Sequence, residues 1–189
     1  QANAILGNGQ LSLAKYLFIT DDPSNELNIH DIESYMQHIL SRVDWKRDLH
    51  FQTRTTIDTL DYSGSGFNQG SKVVIAATGP PQRSLGTDLP REMTLPEGFK
   101  NPKIVAPGII AIEAPRFTNA ESTKDLQRFV KSMASRPCFA TLPLITLVDD
   151  SDFAARSMSN WLWTTFTRSN PACDMDGLGA KSVNKHWGC

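Results

Sequence analysis

Several groups of residues in this chain have types and spacings that chemistry can use. Within the stretch from residue 54 to 78, Ser63, Gly64, Ser65 and Gly66 form a small-residue loop, and Gly70, Ser71 and Lys72 close it. Glycine lacks a Cβ and reaches positive φ cheaply, so such a loop can bring backbone N–H groups close to a partner. A lysine at the exit could hold an anion as a point charge. The competing reading is a glycine-rich hairpin or crossover loop. Two aspartate pairs, Asp21–Asp22 and Asp149–Asp150, end apolar runs. At the carboxyl ends of strands, where open α/β sheets place ligands, paired carboxylates can hold a hard cation or transfer protons. Their commoner use is to cap the next helix, and Asp58 and Asp61 more commonly form turns. His30, His38, His50 and His186 are scattered. There is no HExxH, GxSxG or Walker pattern, and Gly64, Gly66 and Gly70 make too weak a signal for a dinucleotide site.

The elements that must position these residues read as α/β. Lys15–Thr20 is a short apolar, aromatic-rich run closed by Asp21-Asp22-Pro23, and it predicts a buried strand. Ile32, Met36, Ile39, Leu40 and Val43 recur at helical spacing, so a helix is expected from about Asn28 to Arg42, with Asn28 and Asp31 as cap residues. Leu49–Thr53 and Val73–Ala77 predict further strands. Six prolines between Gly79 and Pro107 predict a long irregular segment. Beyond it come a strand over 109–114, a helix over 122–134 opened by Ser122-x-x-Asp125, and a strand over 142–148. A helix from Ser151 or Asp152 to about Arg168 follows.

The two halves share vocabulary. LFITDD (17–22) parallels ITLVDD (145–150), each leading to an amphipathic helix and then a glycine loop closed by lysine. The expected architecture is a mixed, largely parallel sheet flanked by helices, with an internal duplication of a strand–helix–loop unit. The first unit covers about 15–78, the proline-rich insertion about 79–107 and the second unit about 142–188.

A chain of 189 residues supports one domain or two small ones. Net charge of −1 and a pI near 6.5 leave no electrostatic footprint for nucleic acid or an anionic membrane. No apolar run approaches the roughly 20 residues of a bilayer span. Cys138, Cys173 and Cys189 are odd in number and lack metal spacing, which argues for reduced thiols and a cytoplasmic setting. The chain opens on Gln1 and ends on HWGC, so a fragment of something longer is expected.

KYLFITDD with the helix ending at Arg42, the TTIDTLDY lead-in (55–62) and Gly70-Ser71-Lys72 together resemble the C-terminal domain of the UbiD-type decarboxylases; FTRSNPACD (166–174) resembles its helix-end signature. The likeness is strongest over about 15–78, weaker over 142–188 and absent in the proline-rich middle. It implies a share in a non-oxidative carboxy-lyase acting on aromatic or α,β-unsaturated acids, one of them a polyprenyl-hydroxybenzoate of ubiquinone biosynthesis. The cofactor implied is prenylated FMN with a divalent metal, both held mainly by an N-terminal split-barrel domain that also carries the catalytic acids. No segment of this chain matches those motifs, so alone it is expected to be inactive and to bind no flavin.

The resemblance further implies that the C-terminal domain closes over the cofactor cleft and mediates homo-oligomerisation. It places Lys15 against the cofactor and Leu60, Asp61, Tyr62, Ser63, Gly64, Ser65 and Gly66 along the pocket for a small carboxylic acid. Where better-known members carry a proline and an aliphatic residue, this chain has Ser-Gly-Ser-Gly, and a smaller, more mobile wall would suit a different or bulkier acid. The alternative is a stand-alone α/β binding or assembly module without chemistry. A flavodoxin-like nucleotide binder fits poorly, because Thr20-Asp21-Asp22-Pro23 would repel phosphate.

Overall fold

In the computed structural model, which describes residues 1–118, 123–134, 139–183 and 186–188, two three-stranded mixed sheets share a core. The chain opens with a short helix, α1 (Ala2–Leu6), and a 3-10 turn (Gly9–Leu13). The first sheet comprises β1 (Tyr16–Thr20), β2 (Leu49–Thr55) and β3 (Gly70–Ala77) in the order β1-β3-β2. The central strand runs parallel to β1 and antiparallel to β2, which explains its nearly continuous burial and apolar sequence. The helix α2 (Ile32–Arg42) connects β1 to β2 and buries Met36, Ile39 and Leu40. Each such side chain contributes about 1.5–3 kcal/mol of transfer free energy. Asp31 alone caps α2, accepting from Ser34 N–H, while Asn28 bonds His30 N–H in the preceding turn.

The second sheet has the order β4-β5-β6, from β4 (Lys100–Ala106), β5 (Ile109–Glu113) and β6 (Leu144–Val148). The central β5 is antiparallel to β4 and parallel to β6. Pro107 and Gly108 make the tight β4–β5 turn, where Gly108 takes φ +83°, a conformation that favours glycine. The strand β4 therefore interrupts the expected irregular segment. α3 (Thr123–Met133) packs Phe129 and Met133 with Phe99, Ile110, Ile112 and Leu142, and its expected cap at Ser122 lies outside the described residues.

The helix expected over 151–168 is two helices, α4 (Ser151–Ala155) and α5 (Met158–Phe166). Asp150 rather than Ser151 or Asp152 caps the first, and Ser157 caps the second by accepting from Asn160 N–H. Trp161 of α5 is fully buried and joins β1, β3 and α2 to β5. A short helix, α6 (Pro171–Asp174), and a hairpin of β7 (Lys181–Val183) with β8 (His186–Gly188) follow. The two stretches taken as copies thus differ in architecture. The first leads through one eleven-residue helix to a core strand, the second through three short helices to a separate two-stranded ribbon.

Candidate functional site

Lys15 stands immediately before β1 and is buried, and its ammonium is already engaged. Nζ lies 2.7 Å from Asp61 Oδ2 and donates to Ser63 Oγ at 2.7 Å. Asp61 Oδ1 accepts from the Ser63 N–H at 2.9 Å and lies 2.6 Å from its hydroxyl. The same hydroxyl is 3.1 Å from the Ser169 carbonyl, and Ser169 Oγ meets Tyr16 OH at 2.6 Å. Burial pushes the Asp61 carboxyl up. The hydrogen bonds from Lys15 and from the Ser63 hydroxyl and N–H outweigh that and hold it below the usual range. Burial, with smaller contributions from Asp174 and Asp61, pushes the Tyr16 phenol up to about 12 against the opposing bond to Ser169. An ionised carboxylate and a neutral phenol held this way are suited to positioning rather than proton transfer.

What they position is the loop. Asp58 opens it as a turn, accepting from Leu60 N–H, and Asp61 N–H bonds back to the Asp58 carbonyl. Ser65 N–H donates to the Gln69 carbonyl at 2.8 Å and Gln69 N–H to the Gly66 carbonyl at 3.0 Å, so 65–69 is a closed turn. A Cβ on Gly64 would sit 2.1 Å from the Gln69 carbonyl oxygen and 2.6 Å from Ile57 Cδ1, so only glycine fits there. Of the residues expected along a pocket, Asp61 and Ser63 turn into the staple, whereas Leu60 and Tyr62 face outward at 78% and 91% exposure. Phe67, further along the loop, is likewise exposed, at 80%. The Ser63–Gly66 segment is tied at both ends, by Ser63 to Asp61 and by Ser65 to Gln69.

Lys72 does not stand at the loop's exit. It lies within β3, only 2% exposed, and Nζ donates to the Thr56 carbonyl. Burial pulls its amine below the usual lysine range. The aspartate pairs serve structure. Asp21 accepts from Gly79 N–H, Asp22 from the N–H groups of Glu26 and Leu27, Asp150 caps α4, and Asp149 pairs with Arg168. Oxygens of Glu113, Asp150 and Asp152 come within 4.8 Å of one another, but Lys103 and Asn101 already serve Asp152, and Asn101 with Lys100 serves Glu113. Cys173 is a free, exposed thiol; Cys138 and Cys189 lie outside the described residues.

The structure gives individual roles to residues that enter the sequence reading only as parts of motifs. Ser71, buried on β3, donates to Asn170 Oδ1 and accepts from Ala172 N–H at 2.8 Å. Tyr16 and Ser169 join the staple across 153 positions of sequence. The signal lay in the segment itself: Ser169-Asn170-Pro171 places two hydrogen-bonding side chains before a proline at the first turn of α6. Nothing local reveals their partners.

No described helix is long and apolar enough to cross a membrane. Residues 1–77 match the family model of the 3-octaprenyl-4-hydroxybenzoate carboxy-lyase C-terminal domain. The chain is 38% identical over 172 residues to a protein of Chlamydia trachomatis serovar D, covering 90% of this chain and 27% of the relative. It is 35% identical over 182 residues to a Chlamydia pneumoniae protein named as a subunit of a 4-hydroxybenzoate decarboxylase, covering 92% and 27%. A protein of Archaeoglobus fulgidus matches at 36% over 75 residues, 40% of this chain and 15% of the relative. The chain therefore spans about a quarter of the length of these Chlamydia relatives.

Proposed function

From the match of residues 1–77 to the UbiD carboxy-lyase C-terminal domain model, we propose that the chain is of that family and closes the cofactor cleft of a non-oxidative decarboxylase. The substrates are aromatic or α,β-unsaturated carboxylic acids of the 3-octaprenyl-4-hydroxybenzoate type. The observation that carries this reading is the loop from Leu60 to Gly66, an apolar rim held on a buried ionic staple. Leu60 and Tyr62 present the apolar surface that a conjugated acid and a flavin edge require, and a covered site excludes water from the reacting carbon. An N-terminal split-barrel domain and further copies of the chain are the partners of this reading, in keeping with the naming of the Chlamydia pneumoniae relative as one part of an assembly.

Prenylated FMN, with its divalent metal, supplies the electron sink when bound. The described residues of this chain do not fit the role of its main holder: Lys15 is committed to Asp61 and Ser63, and the carboxylate cluster is already served by lysine and asparagine. Lys15 acts on the cleft through the loop it fixes. It is a positioning residue. The test uses the full-length protein reconstituted with the prenylated flavin and a panel of unsaturated and aromatic acids followed by mass spectrometry. Loss of CO2 from members of the panel is expected, with Lys15→Ala lowering flavin retention and Tyr62→Ala raising KM more than it lowers kcat. No acid consumed by a flavin-loaded protein overturns the reading and leaves a stand-alone assembly module in its place.

A further inference from the structure

Among the described residues, Lys72 is a buried cation that the staple does not use. It projects from the central strand of the first sheet opposite Gln52 of β2, and it is 2% exposed. Yet it borders a cavity of about 430 Å³ between the N-terminal segment and β2, lined by Asn3, Leu6, Ser12, Gln52, Thr55 and Thr56. Among the described residues no carboxylate lies within ion-pair distance of its Nζ, in contrast to Lys15, and its hydrogen-bond partner is the Thr56 carbonyl. A buried ammonium is normally paired, because the cost of removing it from water must be offset by an opposite charge or by several acceptors. Lys72 has three N–H donors and one protein acceptor, beside a cavity whose other lining side chains are amides, hydroxyls and one leucine.

We propose that this cavity is a binding site for a small oxyanion, a carboxylate or phosphate group, with Lys72 as the counter-charge. Thr55, Thr56, Gln52 and Asn3 supply neutral hydroxyl and amide donors of the kind that orient an oxyanion. The cavity volume lies within the range of small-molecule sites. Leu6 gives it one apolar side, which suits an organic carboxylate better than a bare inorganic ion. The site is separate from the loop staple, and the proposal stands or falls independently of the decarboxylase reading.

The test is NMR titration of the full chain with its lysine Cε positions labelled with carbon-13, using benzoate in one arm and inorganic phosphate in the other. Sodium chloride at equal ionic strength is the control. The expected result is a saturable shift of the Lys72 Cε signal and of the amide resonances of Thr55 and Thr56. Lys72→Met, which keeps the apolar stem, is expected to weaken binding at least about tenfold, equivalent to about 1.4 kcal/mol. Thr55→Val, which leaves Lys72 in place, gives a smaller loss and guards against a folding defect in the first variant. Saturation by benzoate and not phosphate assigns an organic carboxylate, and the reverse assigns a phosphate. Shifts no larger than those of chloride, or equal affinity in Lys72→Met, overturn the proposal.

Discussion

Among the described residues, the ion pair with both members largely buried belongs to the first sheet. Around the first sheet, polar groups point inward: the side chains of Lys15 and Asp61 are 8% and 18% exposed, and Ser71 and Lys72 are buried on the central strand. Around the second sheet, Lys103 and Asp152 pair at 40% and 61% exposure, and Arg168 and Asp149 at 51% and 68%. The central strand there, β5, is apolar and buried from Ile109 to Ile112. Buried charge gives little net stability but defines a geometry, because breaking one partner leaves the other stranded. Surface pairs are screened and contribute little either way. The first sheet is therefore the half built to hold something in place, and what it holds is the loop from residue 58 to 69.

The largest expected effect would erase the distinction between the halves. Trp161 is fully buried, donates from its indole to Thr146 Oγ1 at 3.2 Å on the second sheet, and meets Phe166 edge-on at 5.3 Å; Phe166 in turn packs on Tyr16 and Phe18 of the first. Trp161→Ala is expected to cost about 3–5 kcal/mol. Both halves should then melt together in denaturant titration, and a variant that loosened only one sheet would show that the shared core is not what couples them.

Next in size is Asp61→Asn, which strands the Lys15 ammonium. Because Asp61 is partly exposed, the expected loss is about 2 kcal/mol, below the roughly 3–5 of fully buried pairs. The folded-state carboxyl is held below its ordinary value, so the stability it contributes is present above the unfolded pKa, about 3.9, and is lost as pH falls through the folded value. The acid limb of the wild-type stability curve should flatten in Asp61→Asn, as read by urea midpoints between about pH 5 and 2. Tyr16 gives the mirror case at the other end. Its phenol is raised from 10.0 to about 12, so the neutral form is favoured on folding, and stability is fully present below pH 10 and declines as pH rises toward 12. Tyr16→Phe should remove that alkaline decline, and an unchanged slope would show that Tyr16 ionises as freely in the folded protein as in the unfolded one.

The first half was more legible in the sequence than the second for a physical reason. β1, α2 and β3 announce themselves by local pattern: an apolar run, a helical repeat from Ile32 to Val43, and a β-branched core strand. β4 does not, because it carries Pro102 and a lysine at 100 and 103. It tolerates the proline as an edge strand whose register with β5 shifts between Lys100 and Lys103. The break between α4 and α5 rests on the Ser157 cap, a single hydroxyl inside an otherwise continuous helical pattern. At the site, Lys15 and the residues from 60 to 66 were legible as a group. Their division was not, since alternation says which side chains turn inward but not that Asp61 and Ser63 would meet a lysine 46 positions away and a serine 106 positions away. The burial of Lys72 was missed because a lysine beside glycines reads as a loop exit, and only strand pairing shows it inside the sheet.

The smallest expected effect sharpens the contrast from the other side. Asp152 accepts from Lys103 at 2.8 Å and from Asn101 at 2.7 Å, a geometry as close as that of Lys15 with Asp61. If distance alone set the strength of a pair, Asp152→Asn and Asp61→Asn would cost the same. Exposure decides otherwise, because water and salt replace the lost partner at the surface and cannot do so beneath the loop. Asp152→Asn is expected to leave the urea midpoint unchanged within error. The wild-type midpoint should also respond to 0.5 M sodium chloride no differently from that of the variant, a concentration at which screening acts over only about 3–10 Å. A loss equal to that of Asp61→Asn would mean that the network of Asn101, Glu113 and Ser151 behind it, in which the Ser151 hydroxyl donates to the Asn101 carbonyl at 2.5 Å, carries as much of the second half as the staple carries of the first.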